Sequence, residues 1–170
     1  CKEAVYQTAK VLEKLGHHVE EASPSVDGKA VLRSYLMMYF GEMAADMQQI
    51  PELIGRKLKP SDLEITTRLL GLLGRTYSAG DFVLELRQWG KAARQMGEFH
   101  ETYDLLLTPT TATPPVKVGE LKPKPAEKLV FGLINSLRLG KIVKATGMVD
   151  KIATESFSKT PFTQLANITG

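Results

Sequence analysis

The chain has 170 residues, of which 43% are hydrophobic and 24% are charged. These values are typical of one globular domain with a substantial core, and they exclude a chain that is disordered throughout. The only cysteine, Cys1, excludes an internal disulfide framework, so we expect a reducing compartment, the cytoplasm. No apolar run approaches the roughly 20 residues that cross a bilayer, and we expect no membrane partner.

The net charge of +3 is distributed unevenly. Residues 122–160 contain eight Lys or Arg and three acidic residues, whereas the rest of the chain is slightly acidic. A basic segment can face an anionic partner, but no aromatic platform or recognition motif for nucleic acid accompanies it. We therefore interpret these lysines as a solvated surface and expect no nucleic-acid partner.

Two helices are predicted in the first third of the chain. Apolar residues at helical spacing within residues 4–15 predict the first helix, and Gly16 follows where a left-handed C-cap residue belongs. A methionine-rich stripe within residues 32–50 predicts a long second helix that ends at Pro51. Such a stripe more often fills a core than binds a ligand.

Three further helices are predicted. Ser61 and Glu64 form a capping-box pattern, in which each side chain satisfies a free backbone N–H at the start of a helix. Ser78 and Asp81 repeat that pattern before the longest apolar stripe in the chain. Pro125 is suited to the first turn of a last helix, which carries leucines at helical spacing.

Two strands are predicted, near residues 17–22 and 104–109. The first is a short extended stretch, and the second contains an uninterrupted leucine run typical of strands covered on both faces. The loop after Pro109 leaves the strand at its carboxyl end, where ligands bind in open α/β sheets. Two isolated strands do not form a stable sheet. Because the chain also lacks an initial methionine, we expect a piece of a larger α/β enzyme.

No complete catalytic or metal site is predicted. His17 and His18 point to opposite faces of an extended chain, and His100 is interpreted as a hydrogen-bonded core or boundary residue. Ser156 and Lys159 match an S-x-x-K pattern, but its companion motifs are absent, so we interpret the match as chance. Nucleotide-binding glycine motifs are also absent, and we expect no cofactor.

Three stretches taken together resemble the amidase-signature hydrolases. Residues 9–24, AKVLEKLGHHVEEASP, resemble the helix, glycine turn and strand that follow the catalytic half in that family. Residues 103–115, YDLLLTPTTATPP, are similar to its D-x-L-x-T-P strand and the following loop. Residues 160–170, TPFTQLANITG, are similar to the approach to its N-x-x-G-x-P-A segment, with Asn167 and Gly170 in the matching places.

The resemblance implies a fold class and an activity. Residues 1–170 would be the helix-rich, C-terminal part of a mixed-sheet α/β domain, with the two predicted strands among about five helices. The family hydrolyses linear carboxamides through a serine, a bridging cis-serine and a lysine, none of which maps onto this chain. No catalytic residue is therefore assigned, and the isolated chain is expected to be inactive.

The resemblance also implies a substrate-facing surface. Thr108, Pro109, Thr110 and Asn167 would lie near a small-molecule amide, and the alternative is that they only shape turns. Homo-oligomerisation of the parent enzyme is compatible with the sequence. A competing hypothesis is a self-contained helical binding module, without catalysis, whose methionine stripe at residues 37–47 receives a partner protein.

Overall fold

The chain is described from a computed structural model, which covers residues 1–147, 154 and 157–170. Within these residues the regular structure is helical. The α-helices are α1 (Lys2–Lys14), α2 (Gly28–Ile54), α3 (Ile65–Gly74), α4 (Ala79–His100), α5 (Pro125–Ser136), α6 (Gly140–Ala145) and α7 (Thr163–Thr169), and a short 3-10 helix (Pro60–Asp62) precedes α3. None of the described helices is long and apolar enough to cross a membrane.

The predicted mixed α/β fold is wrong, because the described part of the chain contains no strand. Residues 17–22 and 104–109 are both irregular. Leu105 is 86% exposed, so the leucine run is not covered on both faces. A strand needs backbone partners from a neighbouring strand, and a short apolar run does not by itself specify one.

Side-chain contacts, rather than a sheet, hold the first irregular segment in place. The Tyr103 hydroxyl donates a hydrogen bond of 2.6 Å to Glu20 Oε1, which joins this segment to the end of α4. The same bond raises the pKa of Tyr103 above its ordinary value. His18 Nε2 lies 3.7 Å from the other carboxylate oxygen of Glu20.

The first two predicted helices are confirmed, with one correction at the end of α2. Gly16 follows α1 with φ at +92°. Asp27 Oδ1 caps α2 by accepting from the N–H groups of the first turn. The helix does not end at Pro51 but continues to Gly55, whose φ of +66° terminates it. Pro51 removes the one hydrogen bond that its own N–H would donate to the Met47 carbonyl, and the helix continues for about one further turn.

The predicted capping box at Ser61 and Glu64 is wrong. The short 3-10 helix begins where the Lys59 N–H donates to Asp62 Oδ2 at 2.7 Å, and α3 starts only after Glu64. Asp62 therefore accepts the N-cap hydrogen bond that the sequence pattern assigned to Glu64, and it does so for the 3-10 helix rather than for α3. Polar residues that compete at adjacent positions make helix boundaries uncertain by a few residues.

The starts of α4 and α5 are confirmed. The Ser78 N–H donates to Asp81 Oδ2 at 2.9 Å, and the Asp81 N–H donates to Ser78 Oγ at 3.1 Å, which completes the predicted reciprocal cap. Pro125 is the first residue of α5, and the preceding Lys124 N–H donates to Glu127 Oε2 at 2.7 Å. Both starts satisfy backbone donors that a helix leaves unpaired.

An exposed ion pair beside the 3-10 helix gives the first testable prediction. Arg56 donates two hydrogen bonds to Asp62, of 2.6 and 3.0 Å, and these bonds with the Lys59 N–H lower the pKa of Asp62 to about 2. The Asp62 contribution to stability is therefore complete above the unfolded pKa of about 3.9 and is lost as pH falls through the folded value.

We expect the ¹³C chemical shift of the Asp62 carboxyl group to change with pH around a midpoint near pH 2 in the unsubstituted protein. In an Arg56→Gln variant the midpoint moves up toward the ordinary aspartate value, because the guanidinium no longer stabilises the carboxylate. An unchanged Asp62 midpoint in the variant would contradict this assignment.

The main core lies between α2, α3, α5 and α6. Its buried members are Leu36, Phe40, Leu69, Leu73, Ile134 and Val143. Helices α2 and α3 approach closely at two glycines, because Gly71 faces Met43 and Met47 while Gly74 faces the Phe40 carbonyl. The methionine stripe is thus packed against α3, in agreement with its interpretation as core.

A second, smaller core joins α2 to α4 and α7. Its buried members are Val31, Ala92 and Ile168. Ser34 is completely buried at this junction, where its hydroxyl donates to the Val31 carbonyl at 2.9 Å and accepts from Trp89 Nε1 at 3.0 Å. Helix α2 therefore has a different core on each side and forms the centre of the described fold.

The outer surface of α5 is less buried than its sequence pattern predicts. The predicted stripe contains Leu129, Leu133, Ile134 and Leu137, and only Ile134 is buried. Leu129 is 77% exposed. The helix packs mainly against α3, where Asn135 Nδ2 also donates to the Ile65 carbonyl at 3.3 Å.

Candidate functional site

The predicted substrate-side residues of the threonine-rich segment lie at the surface. Thr108 and Thr110 are exposed, and Pro109 is half-buried. The segment is anchored just beyond them, where the Ala112 N–H donates to the Lys159 carbonyl at 2.8 Å. The hydroxyl groups of Thr108 and Thr110 are accessible to a ligand. The role of these threonines and of Pro109 in substrate binding stays a prediction.

Asn167, the other predicted substrate-side residue, is exposed on α7. The opposite side of this helix is buried through Gln164 and Ile168, and Gln164 Nε2 donates to Thr160 Oγ1 at 3.3 Å. Within the described residues no hydrogen bond joins Asn167 to Thr108 or Thr110.

The other polar residues singled out in the sequence have structural surroundings. His100 is exposed rather than part of the core, and its Nδ1 lies 2.8 Å from the Tyr103 carbonyl. Ser156 lies outside the described residues, so the S-x-x-K match is not tested. Lys159 Nζ lies 3.9 Å from Glu120 Oε1. No cluster of three or more metal-ligating side chains occurs within the ranges that the structure covers.

A cleft of about 290 Å³ opens between α2, the start of α4 and α6, and sequence reasoning did not predict it. Its lining residues are Arg33, Leu36, Met37, Phe40, Tyr77, Asp81, Glu85 and Lys144. The base is apolar and buried, whereas the rim carries two positive and two negative side chains. This combination of an apolar base and a few convergent polar groups is typical of small-molecule sites.

Glu85 is the most unusual residue of this cleft, because a carboxylate is rarely buried. Its side chain is 7% exposed. Arg33 donates to Glu85 Oε1 through Nε at 2.8 Å and also through a terminal nitrogen. The second oxygen, Oε2, has no hydrogen-bond partner among the described residues. One oxygen of this buried carboxylate is thus enclosed by the protein without a hydrogen bond, although the residue as a whole lines the cleft.

The remaining rim residues have defined partners. Asp81 accepts from the Ser78 N–H, and this bond lowers the pKa of Asp81, with a further contribution from the positive charge of Lys144. Lys144 Nζ lies 3.8 Å from the centre of the Tyr77 ring, a cation–π contact. The Tyr77 ring in turn stacks with Phe40 at a centroid distance of 6.4 Å.

One sequence signal could have located this cleft. Glu85 lies three residues after Phe82 and four before Trp89, so it occupies an inward position on the apolar stripe of α4. A carboxylate at such a position needs a buried partner. Arg33, its partner, is separated from it by 52 residues, and the sequence does not show which arginine would reach it.

Comparison with known proteins identifies the family of the chain. The model of the family described as Amidase matches residues 1–157, which is more than half of the sequence. The chain belongs to the amidase family. This membership confirms the resemblance that was based on the three sequence stretches.

Curated relatives of this amidase-family chain include three named enzymes. It is 27% identical over 170 residues to the lipoamidase of Enterococcus faecalis, covering 100% of the chain and 23% of that protein. It is 34% identical over 128 residues to the 6-aminohexanoate-cyclic-dimer hydrolase of Pseudomonas sp. (strain NK87), covering 71% of the chain and 25% of that protein. It is 28% identical over 152 residues to the putative amidase AmiC of Mycobacterium leprae (strain TN), covering 86% of the chain and 31% of that protein.

The amidase-family chain thus spans between 23% and 31% of the length of these relatives. No solved structure matches it.

Proposed function

We propose that this chain is the C-terminal, substrate-side part of an amidase that hydrolyses the C–N bond of linear carboxamides. The observation that carries this proposal is the family match over residues 1–157, supported by the end-to-end similarity to one portion of a lipoamidase. The names of the other two relatives describe a hydrolase and a putative amidase.

The proposed mechanism uses a serine nucleophile, a bridging cis-serine and a lysine base supplied by polypeptide outside this chain. A serine hydroxyl attacks an amide only when a base accepts its proton, and the developing oxyanion needs positioned N–H donors. The buried serine of the present chain does not have that arrangement, because Ser34 is bonded to Trp89 and to the backbone. We therefore assign to residues 1–170 the roles of scaffold and pocket wall.

The alternative of a helical binding module is less well supported. That hypothesis needed the methionine stripe of residues 37–47 to receive a partner. Met37 is buried, and the Met47 side chain and the Met43 backbone carbonyl lie against Gly71 of α3. Part of the stripe is therefore covered by the chain itself, although Met37 also lines the cleft between α2, α4 and α6.

The first experiment is to read the coding sequence upstream of Cys1. A lysine followed by a Gly/Ser-rich segment with two suitably spaced serines supports the proposal. An upstream region that lacks this pattern would contradict it. The second experiment is to assay the full-length protein and residues 1–170 separately with a simple carboxamide, and we expect activity in the full-length protein alone.

The pocket residues give a second testable prediction. We expect Thr110→Ala and Asn167→Ala, each made in the full-length protein, to lower kcat/KM for a carboxamide about tenfold, the equivalent of one hydrogen bond to substrate. Thr113→Ala is the matched control, because Thr113 is an exposed threonine of the same segment, and it should leave kcat/KM unchanged. If all three variants behave like the parent, these side chains only shape turns.

A further inference from the structure

We propose that the outer face of α5 docks the protein onto an anionic lipid surface, where leucines enter the boundary of the bilayer and lysines reach the phosphate headgroups. This inference goes beyond the proposed amide hydrolysis and does not rest on it. It also differs from the sequence-based expectation of no membrane partner, which considered only segments that cross a bilayer. A helix that lies on a bilayer needs one apolar face and not a long apolar run.

The apolar part of this surface is the leucine face of α5, formed by Leu129, Val130, Leu133 and Leu137. These residues are between 50% and 77% exposed. The three leucines recur every four residues, so they lie on one side of the helix. The other side is packed, because Ile134 is buried in the main core. A surface helix normally presents polar residues outward, so an apolar outer side indicates a binding surface.

Positive charge lies at both ends of the leucine face. Lys124 and Lys128 lie at the start of α5, Arg138 and Lys141 follow its end, and all four side chains are exposed. Within the described residues none of the four has a carboxylate within ion-pair distance. Glu127, the one acidic residue of α5, accepts from the Lys124 N–H. The surroundings of the leucine face are therefore net positive.

This charge decides which occupant fits the leucine face. A second copy of the chain would bring the same cations close to one another, and like charges repel. An anionic bilayer supplies acyl chains for the leucines and phosphate groups for the lysines, whose flexible stems let the ammonium groups reach the headgroups. Polypeptide outside residues 1–170 is the other occupant, and a stability measurement distinguishes it from lipid.

The test is co-sedimentation of the full-length protein with vesicles of two compositions. One is phosphatidylcholine alone, and the other contains equal parts of phosphatidylcholine and phosphatidylserine. We expect binding to the anionic vesicles to be tighter by about tenfold or more, because each lysine near an anionic surface contributes about fivefold. Raising the ionic strength should weaken this binding, because salt screens the lysines.

A Leu133→Gln variant tests the leucine face. It should weaken binding to the anionic vesicles about tenfold, because a polar amide replaces an apolar side chain that enters the bilayer. Leu84→Gln is the matched control, because Leu84 on α4 and Leu133 are each 58% exposed, and it should bind like the unsubstituted protein. Without lipid, both variants should unfold at the same temperature as the unsubstituted protein, because both side chains are exposed.

A variant that combines Lys124→Gln with Lys128→Gln tests the charges. Binding to the anionic vesicles should weaken about thirtyfold, and binding to phosphatidylcholine alone should not change. Lys10→Gln combined with Lys14→Gln is the matched control, because these exposed lysines of α1 have the same four-residue spacing. This control should bind the anionic vesicles like the unsubstituted protein.

Three outcomes would overturn the proposal. The first is that the full-length protein does not prefer the anionic vesicles. The second is that Leu133→Gln binds them as tightly as Leu84→Gln does, which would reduce the contact to attraction of the lysines. The third is that Leu133→Gln lowers the unfolding temperature of the full-length protein while Leu84→Gln does not. That result would mean that polypeptide outside residues 1–170 covers the leucine face.

Discussion

An alanine at position 74 is expected to lower the free energy of unfolding by about 3 kcal/mol, because it overpacks the contact between α2 and α3. A Cβ on Gly74 would overlap the backbone carbonyl of Phe40 and contact the Cβ of Ala44. Neither group can rotate away, so relief of the overlap requires the two helices to separate. Separation would also expose Leu73, one of the most deeply buried residues of the main core.

Urea unfolding of Gly74→Ala measures this effect. Gly97→Ala is the matched control, because Gly97 is inside α4 and nothing lies within 4 Å of an added Cβ. At that position alanine should raise the free energy of unfolding by about 0.5–1 kcal/mol through its higher helix propensity. The close approach of α2 and α3 would be refuted by a Gly74→Ala variant that unfolds at the parent's urea concentration.

The features predicted correctly from sequence are those that depend on neighbouring residues. The reciprocal cap of Ser78 and Asp81 requires only two side chains three residues apart, and the structure contains it. Gly16 after α1 and Pro125 at the start of α5 are likewise local preferences of single residues. Such signals are fully present in a short window of sequence.

The features predicted wrongly depend on distant partners. The leucine run of residues 104–109 is compatible with a covered strand, but nothing in a run of leucines provides the neighbouring strand that such a strand needs. Pro51 predicts the end of α2, whereas Gly55 ends it, because a proline removes one backbone hydrogen bond and does not by itself stop a helix.

The two candidate sites also differ in how far the sequence alone predicts them. Family resemblance indicated Thr108, Pro109, Thr110 and Asn167, and their role awaits the kinetic test. The cleft around Glu85 was not predicted, although the inward position of this carboxylate on α4 was visible in the sequence. Its partner Arg33 lies 52 residues before it on α2, and the cation Lys144 lies 59 residues after it on α6. Only the fold brings these three side chains together.

Arg33→Met is expected to destabilise the protein by about 3 kcal/mol, because it removes the only described partner of a buried charge. The Arg33 side chain is 71% exposed and that of Glu85 is 7% exposed. The destabilisation therefore comes mainly from the buried Glu85 carboxylate, which is left without its partner. Methionine retains much of the packing of the arginine stem, which confines the change to the charged group. Arg87→Met, at an exposed position of α4, is the matched control and should be close to neutral.

A double-mutant cycle separates the charge effect from packing. Glu85→Leu removes the buried carboxylate, so Arg33→Met combined with Glu85→Leu should regain most of the stability that Arg33→Met alone loses. Equal destabilisation in the single and double variants would mean that Arg33 acts through packing and not through its charge. Recovery in the double variant would mean that the buried carboxylate of Glu85 is tolerated only because Arg33 neutralises its charge.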